Sequence, residues 1–292
     1  MNKSFISMLF SYLVWGSLPL YWKLLDGVSP LYILANRIFW CFIILLIMTL
    51  VQKRLPLIKE AIADKHALLW TVIASLAITI CWGLFIWAVN SGFVLESSLG
   101  YYMNPLFTFI LSAVVLKERF TTYDAVAIIL AAAGVIYRTV AYGRFPYVAI
   151  ILAITFAAYG LAKKKAALDA TVSLTIETAI FAPFCLAYMV IASIGPASQL
   201  TTANAAEIIF LILSGAVTLA PLYLYSLGIN GLPLIITGFL QYISPTLMLI
   251  IGVAVFGEPF DLPSIICFSL IWLGIAVFSA GRIMDARRQP VK

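Results

Sequence analysis

Ten apolar stretches of helix length, each separated from the next by a short polar break, set the terms on which this chain can fold. They lie at about 4–25, 30–51, 67–90, 93–116, 123–142, 145–162, 171–194, 205–228, 233–256 and 263–281. An α-helix needs roughly 20 apolar residues to cross the hydrocarbon core of a bilayer. No water inside that core satisfies a stray backbone N–H or C=O, so a spanning segment must be a helix or part of a closed barrel. Barrel strands alternate apolar and polar residues over about ten positions. These runs are continuous, so the expected fold is an all-α integral membrane protein with ten transmembrane helices. Of the residues, 64% are hydrophobic and 10% charged. A soluble chain has about 45–50% and about 25%, and little here is left over for an extramembrane domain. A soluble enzyme on one anchor, a disulfide scaffold and a disordered regulator are thereby excluded.

The first stretch follows Lys3 but contains Trp15, Pro19, Trp22 and Lys23, with no small-residue cleavage site after it. It is expected to be a retained helix and not a signal peptide. The net charge of +6 reads as topology and not as attraction for nucleic acid. With the N-terminus inside, the inner breaks and termini hold fourteen Lys and Arg, from Lys3 to Lys292, and the outer breaks hold three: Lys23, Arg138 and Arg144. Basic residues favour the cytoplasmic face, so both termini are expected there.

A shift of 140 residues aligns the chain with itself. Asn90 falls on Asn230, Tyr102 on Tyr242, Pro105 on Pro245, Glu118 on Glu258 and Gly134 on Gly274. The first five-helix repeat is expected at 1–142 and the second at 143–292, together forming one transmembrane domain. Five is odd, so the halves cross in opposite directions. Inverted repeats admit two near-equivalent arrangements around a midplane site, one open to each side. That is the architecture of a secondary transporter.

Polar residues at depth are the candidate site. A charge within a span costs about 2.5–3.5 kcal/mol on insertion scales, so it normally faces a cavity or a partner. Arg37, Glu96 and Glu177 form the candidate coupling or charge network. Arg37 and Glu96 read either as a structural ion pair or as cavity-lining, proton-coupled groups. Glu177 has no basic partner assigned within a span and is the better candidate for a protonatable group. The repeat places Arg37 and Glu177 on each other. Asn104 beside Pro105 and Gln241 near Pro245 are amides at mid-depth and are expected to line the substrate site. Trp15, Tyr102 and Tyr242 are deep aromatics expected to wall it, whereas Trp22, Trp70 and Tyr147 fit the interfacial belt. Gly100, Thr108 and Ser112 read as close-packing residues, as does the alanine run at 131–133, within or between chains. Glu118 and Glu258 read as caps for the helices that follow them. The four cysteines lie in apolar runs and the single histidine, His66, has no co-ligand, so neither a metal nor a cofactor is expected.

The paired Pro…Glu…Gly segments are similar to the two EamA repeats of the drug/metabolite transporter superfamily. Within it, VNSGFVLESSLGYYMNPL at 89–106 resembles the most distinctive stretch of the RarD-type permeases, and WGSLPLYWKLL at 15–25, ANRIFW at 35–40 and YGLAKKK at 159–165 fit the same group. The resemblance covers the whole chain. It implies ten helices in a membrane of the bacterial inner-membrane type, both termini on the cytoplasmic side, and alternating access around a central cavity. The chain departs from the pattern at Asn36, where histidine is usual, and at Tyr32, where an acid is usual. Members of the superfamily export amino acids and other small metabolites. The expected function is therefore export of a small amphipathic metabolite such as an amino acid or an aromatic compound, with proton coupling. An uncoupled facilitator of the same fold is the alternative. An intramembrane lipid-modifying enzyme would need a clustered acid, base or metal site, which the spacing does not supply.

Overall fold

The computed structural model describes residues 3–90, 94–194, 204–257 and 261–288, and among these it contains helices and no strands. In chain order they are α1 (Lys3–Trp22) with a 3-10 turn at Lys23–Leu25, α2 (Pro30–Val51), α3 (Leu55–Ala63), α4 (Lys65–Asn90), α5 (Val94–Val114), α6 (Thr122–Tyr142) and α7 (Tyr147–Ala166). They continue as α8 (Ala170–Ala192), α9 (Ala205–Ile229), α10 (Leu234–Gln241), α11 (Ile243–Ala254) and α12 (Leu262–Arg288). Nine spans among the described residues are long and apolar enough to cross a membrane, α10 and α11 together making one of them. The 21-residue α5 is the tenth. Only the short α3 has no counterpart among the ten apolar stretches.

Local chemistry sets the helix starts. Pro30 opens α2, where its missing N–H costs nothing. Thr121 and Asp124 form a reciprocal capping box at α6, as Asn204 and Glu207 do at α9. Asp169 accepts from the first N–H groups of α8. Helix α6 ends at Gly143, whose φ of 74° is the left-handed conformation that glycine adopts freely.

The packing follows the repeat. Helix α1 lies against α9 and α11, and its image α7 lies against α4 and α5, while α2 packs on its own image α8 and α6 on α12. The α6–α12 pair displays the inversion most plainly. At one end Arg282 donates to Asp124 at 3.0 Å, and at the other Arg138 donates to Asp261 at 3.0 Å. Between these clamps a Cβ on Gly134 would stand 2.8 Å from the Cys267 carbonyl oxygen, and one on Gly274 would stand 2.8 Å from that of Ala127. Cys267 is the image of Ala127, so the two contacts are one contact seen twice. Ala131 is buried in the same seam and Ala133 is exposed.

Lipid is as apolar as a leucine, so these helices associate through close packing and interhelical hydrogen bonds. Ser11 donates to the Pro221 carbonyl at 2.7 Å and Ser244 to that of Tyr12 at 2.8 Å. One buried cluster gathers Tyr12, Leu45, Tyr159, Leu174 and Tyr225, and a second gathers Phe109, Phe239, Phe268 and Phe278. The outward face is apolar as well, with Phe10, Ile47, Ile129, Phe184 and Ile191 exposed as acyl chains would require.

Candidate functional site

A cavity of about 440 Å³ lies between the halves, walled by α1, α2, α4, α5, α7, α10 and α11. Its mouth is at the end of the bundle where α1 finishes. There Lys23 and Asp26, both well exposed, form an ion pair at 2.9 Å on the rim. Its floor is aromatic. Trp15 has ring centroids 5.9 Å from Tyr12, 5.7 Å from Phe156 and 5.7 Å from Tyr225. Tyr225 in turn stacks on Tyr159 at 5.7 Å.

Trp15, Asn104 and Gln241 lie together on the cavity wall, and Arg37 joins them. Tyr102 and Tyr242 do not, which corrects the expectation that they wall the site. Successive residues of a helix point about 100° apart, so when Tyr101 and Gln241 face the cavity their neighbours turn away. Tyr102 packs edge-on to Phe268 at 5.0 Å, and Tyr242 is 1% exposed in the same apolar cluster. The side chain of Glu96 lies outside the described residues.

Gln241 sits at a break in the ninth span. Helix α10 stops at Gln241 and α11 begins at Ile243, two residues before Pro245. Proline has no N–H for the carbonyl four residues earlier, which is that of Gln241. The Thr108 hydroxyl lies 3.0 Å from the Asn104 carbonyl oxygen and 3.2 Å from Gln241 Oε1, tying α5 to α10. This leaves Asn104 Oδ1 and Gln241 Nε2 buried without a hydrogen-bond partner among the described residues, one an acceptor and the other a donor. Buried polar atoms are normally paired, so an unpaired couple on a cavity wall is suited to a ligand.

Arg37 is held from three directions. Its Nε donates to Thr218 Oγ1 at 3.0 Å, and its guanidinium carbon lies 4.7 Å from the Trp22 ring centroid and 4.5 Å from that of Trp82. Trp22 is therefore a cavity residue and not only a belt residue. Asn36 and Tyr32 are occupied elsewhere. Asn36 donates to the Tyr32 carbonyl at 2.9 Å and accepts from Trp40, and the Tyr32 hydroxyl is 3.2 Å from Ser193 Oγ.

Glu177 lies outside the cavity lining, and it has a basic partner. Lys163 Nζ is 2.7 Å from its Oε1 and 2.9 Å from Ser173 Oγ, while the Ser173 hydroxyl donates to the same carboxylate at 2.6 Å. The Lys163 and Glu177 side chains are 3% and 4% exposed. An apolar stretch ending at 162 places Lys163 in the inner break. Helix α7 runs one turn further and carries it inside. The repeat held the missed signal, since Lys163 is the image of Lys23 as Glu177 is of Arg37.

Glu118 is a cap, but not for the helix that follows it. Its carboxylate accepts from the backbone N–H groups of Leu234 and Ile235 at 2.7 and 3.0 Å, and from Ser112 at 2.6 Å. It thus caps α10 in the opposite half. Glu258 lies outside the described residues.

Comparison with known proteins agrees with this architecture. The uncharacterized transporter YojE of Bacillus subtilis (strain 168) is 38% identical over 285 residues, covering 97% of this chain and 95% of that protein. Protein RarD of Escherichia coli (strain K12) is 34% identical over 278 residues, covering 95% and 94%. A solved crystal structure superposes with a TM-score of 0.73 over 94% of this chain and 97% of its own, at 17% identity, which speaks to fold alone. The EamA-like transporter family matches twice, at residues 2–139 and 146–280. Two family repeats, ten spans and a cavity between inverted halves coincide, and the chain belongs to the EamA-like transporter family.

Proposed function

We propose that this transporter is a secondary exporter of a small amphipathic metabolite, working by alternating access between the halves at 1–142 and 143–292. The observation that carries the reading is a cavity between inverted repeats, open at one end and shut at the other by stacked tyrosines above a buried ion pair. The excess of basic residues supports a cytoplasmic location for both termini, which makes the described state the one open to the outside. Tyr12, Tyr159 and Tyr225 form its inner gate. The Lys163–Glu177 pair holds α7 to α8 beneath them. Protonation of Glu177 removes the charge that Lys163 answers, which makes this pair the place where a proton couples to inward opening.

Phe85 lines the open cavity, and its image under the repeat is Tyr225, buried against Trp15 on the closed side. Alternating access requires the two positions to exchange environments. Phe85→Cys and Tyr225→Cys, each in a background without the four native cysteines, are labelled in sealed vesicles with an impermeant maleimide. The expected result is labelling of the first from outside and the second from inside, with transported compounds shifting the two in opposite directions. Simultaneous labelling of one position from both sides would make the protein a channel. Flux by Glu177→Gln that saturates but ignores pH, as in the parent, would make it an uncoupled facilitator.

A further inference from the structure

We infer that the cavity holds its ligand by an anionic head, a carboxylate seated on Arg37, so that the ligand class is an organic monocarboxylate with an apolar body and not a zwitterionic amino acid or an amine. Calling that ligand cargo rests on the transport reading above; binding at Arg37 does not.

The geometry of the guanidinium carries the argument. Two tryptophan rings lie over the guanidinium, at 4.7 and 4.5 Å, and Nε is engaged by Thr218. The remaining N–H groups belong to the two terminal nitrogens and point outward in the guanidinium plane. A carboxylate takes up that in-plane position in a bidentate pair. Two ring contacts and the Thr218 hydrogen bond also fix the side chain before any ligand arrives, which reduces the ordering cost of binding.

Charge bookkeeping within the cavity points the same way. Arg37 stays protonated at any working pH, and no described carboxylate lies within ion-pair reach of it. The described acid that lines the cavity, Asp26, is held at the rim by Lys23. Glu177 is bound below the floor by Lys163 and Ser173. Glu207 is taken by the Asn204 backbone in the capping box of α9. The cavity thus offers a fixed cation to an anion, and no free described carboxylate to an ammonium group. Below Arg37 the surfaces are Trp15, Tyr101 and Phe156, which suit an apolar body, and the Asn104 and Gln241 amides, which suit one uncharged polar group.

The test uses matched ligands that differ only in the head group. Purified full-length protein is titrated with 3-phenylpropionate, 3-phenylpropanamide, 3-phenylpropylamine and L-phenylalanine, and with octanoate and octanamide. Tryptophan emission and unfolding temperature are followed, since Trp22 and Trp82 flank the seat. The acids are expected to bind at least about tenfold more tightly than their amides, the scale of a charge-assisted hydrogen bond against a neutral one. Arg37→Gln should erase that gap, and Arg37→Lys, which keeps the charge without the planar fork, should narrow it to a few-fold. An amide or amine that binds as well as its acid, a gap that survives Arg37→Gln, or no acid binding at millimolar concentrations each overturns the assignment. Loss of acid preference with the Phe85 and Tyr225 positions still exchanging would remove the anion seat and leave the transporter. Arg37-dependent acid binding without exchange would keep the seat and remove the transport reading.

Discussion

Lys163 and Glu177, fourteen residues apart and on consecutive helices, meet at 2.7 Å where almost no solvent reaches them. Desolvating two charges is expensive, and the pair recovers that cost only while both members are present. Ser173 supports the geometry by bonding to both. The pair is formed on the closed side of the cavity, whereas its image, Lys23 and Arg37, lies on the open side with each cation engaged elsewhere.

Removing one partner should be worse than removing both. Lys163→Met or Glu177→Met alone is expected to lower unfolding stability by about 3–5 kcal/mol, and the double variant to recover most of the loss. A double-mutant cycle in detergent, read by chemical unfolding, measures this. Additive losses would show that the contact is not energetically coupled.

Asn104 and Gln241 should matter for ligand binding more than for stability. Each contributes an atom without a protein partner, so Asn104→Leu removes a buried unpaired atom and is expected to leave the melting temperature unchanged or raised, while Gln241→Leu also loses the Thr108 bond and is expected to lower it slightly. Affinity for a bound compound should fall by about 2–10-fold, the scale of one neutral hydrogen bond. Tyr102→Phe and Tyr242→Phe are expected to leave affinity unaltered, because both side chains point away from the cavity.

Acid should destabilise the protein through two carboxylates at opposite ends of the bundle. Burial pushes Asp169 up, but Arg54 and the backbone N–H groups of Val172 and Thr171 prevail and hold it below the ordinary range. Burial likewise raises Asp261, and Ser264 and Arg138 bring it down further than burial lifts it. A depressed folded-state pKa gives stability that is full above the unfolded value of about 3.9 and is lost as pH falls through the folded value. Melting temperature should therefore decline between about pH 4 and the lower folded values, and Asp169→Asn or Asp261→Asn should flatten that decline while still capping the helix. An unchanged slope in both variants would show that neither carboxylate contributes.

Close approach of backbones makes Gly134 and Gly274 equally intolerant. Gly134→Ala and Gly274→Ala each set a methyl 2.8 Å from a carbonyl oxygen of the facing helix, and each is expected to cost about 1–3 kcal/mol. Gly83→Ala, with nothing within 4 Å of the new methyl, should be neutral or stabilising by about 0.5–1 kcal/mol. Thermal unfolding of the three variants provides the comparison.

The spans were legible because hydrocarbon imposes long uninterrupted apolar runs, and the repeat because Asn90, Pro105 and Glu118 recur where chance apolar matches do not reach. Arg37, Asn104 and Gln241 stood out for being polar at depth. What a single chain does not display is rotational phase. Tyr101 and Tyr102 are the same residue type one step apart, and only the packed bundle tells which faces inward. Three consecutive lysines at 163–165 look like a cytoplasmic break, and nothing local says that the first is folded inside against Glu177. The destination of Glu118 is equally non-local, since Leu234 lies 116 residues further on.

The seam between α6 and α12 is its own image, with Gly134 against Cys267 repeated as Gly274 against Ala127. Under the alternating access proposed above, exchanging the roles of the halves returns this pair of backbone contacts, so the pair contributes equally to the outward-open state and to its mirror. A substitution there changes how much folded protein exists and leaves the ratio of the two states where it was. Lys163 and Glu177 stand on the other side of that division. Their contact has no formed counterpart across the membrane, so its free energy enters the ratio directly. Weakening it by 1.4 kcal/mol would tilt the resting population toward the inward-facing state by about tenfold. Yield and bias are thus set by different residues.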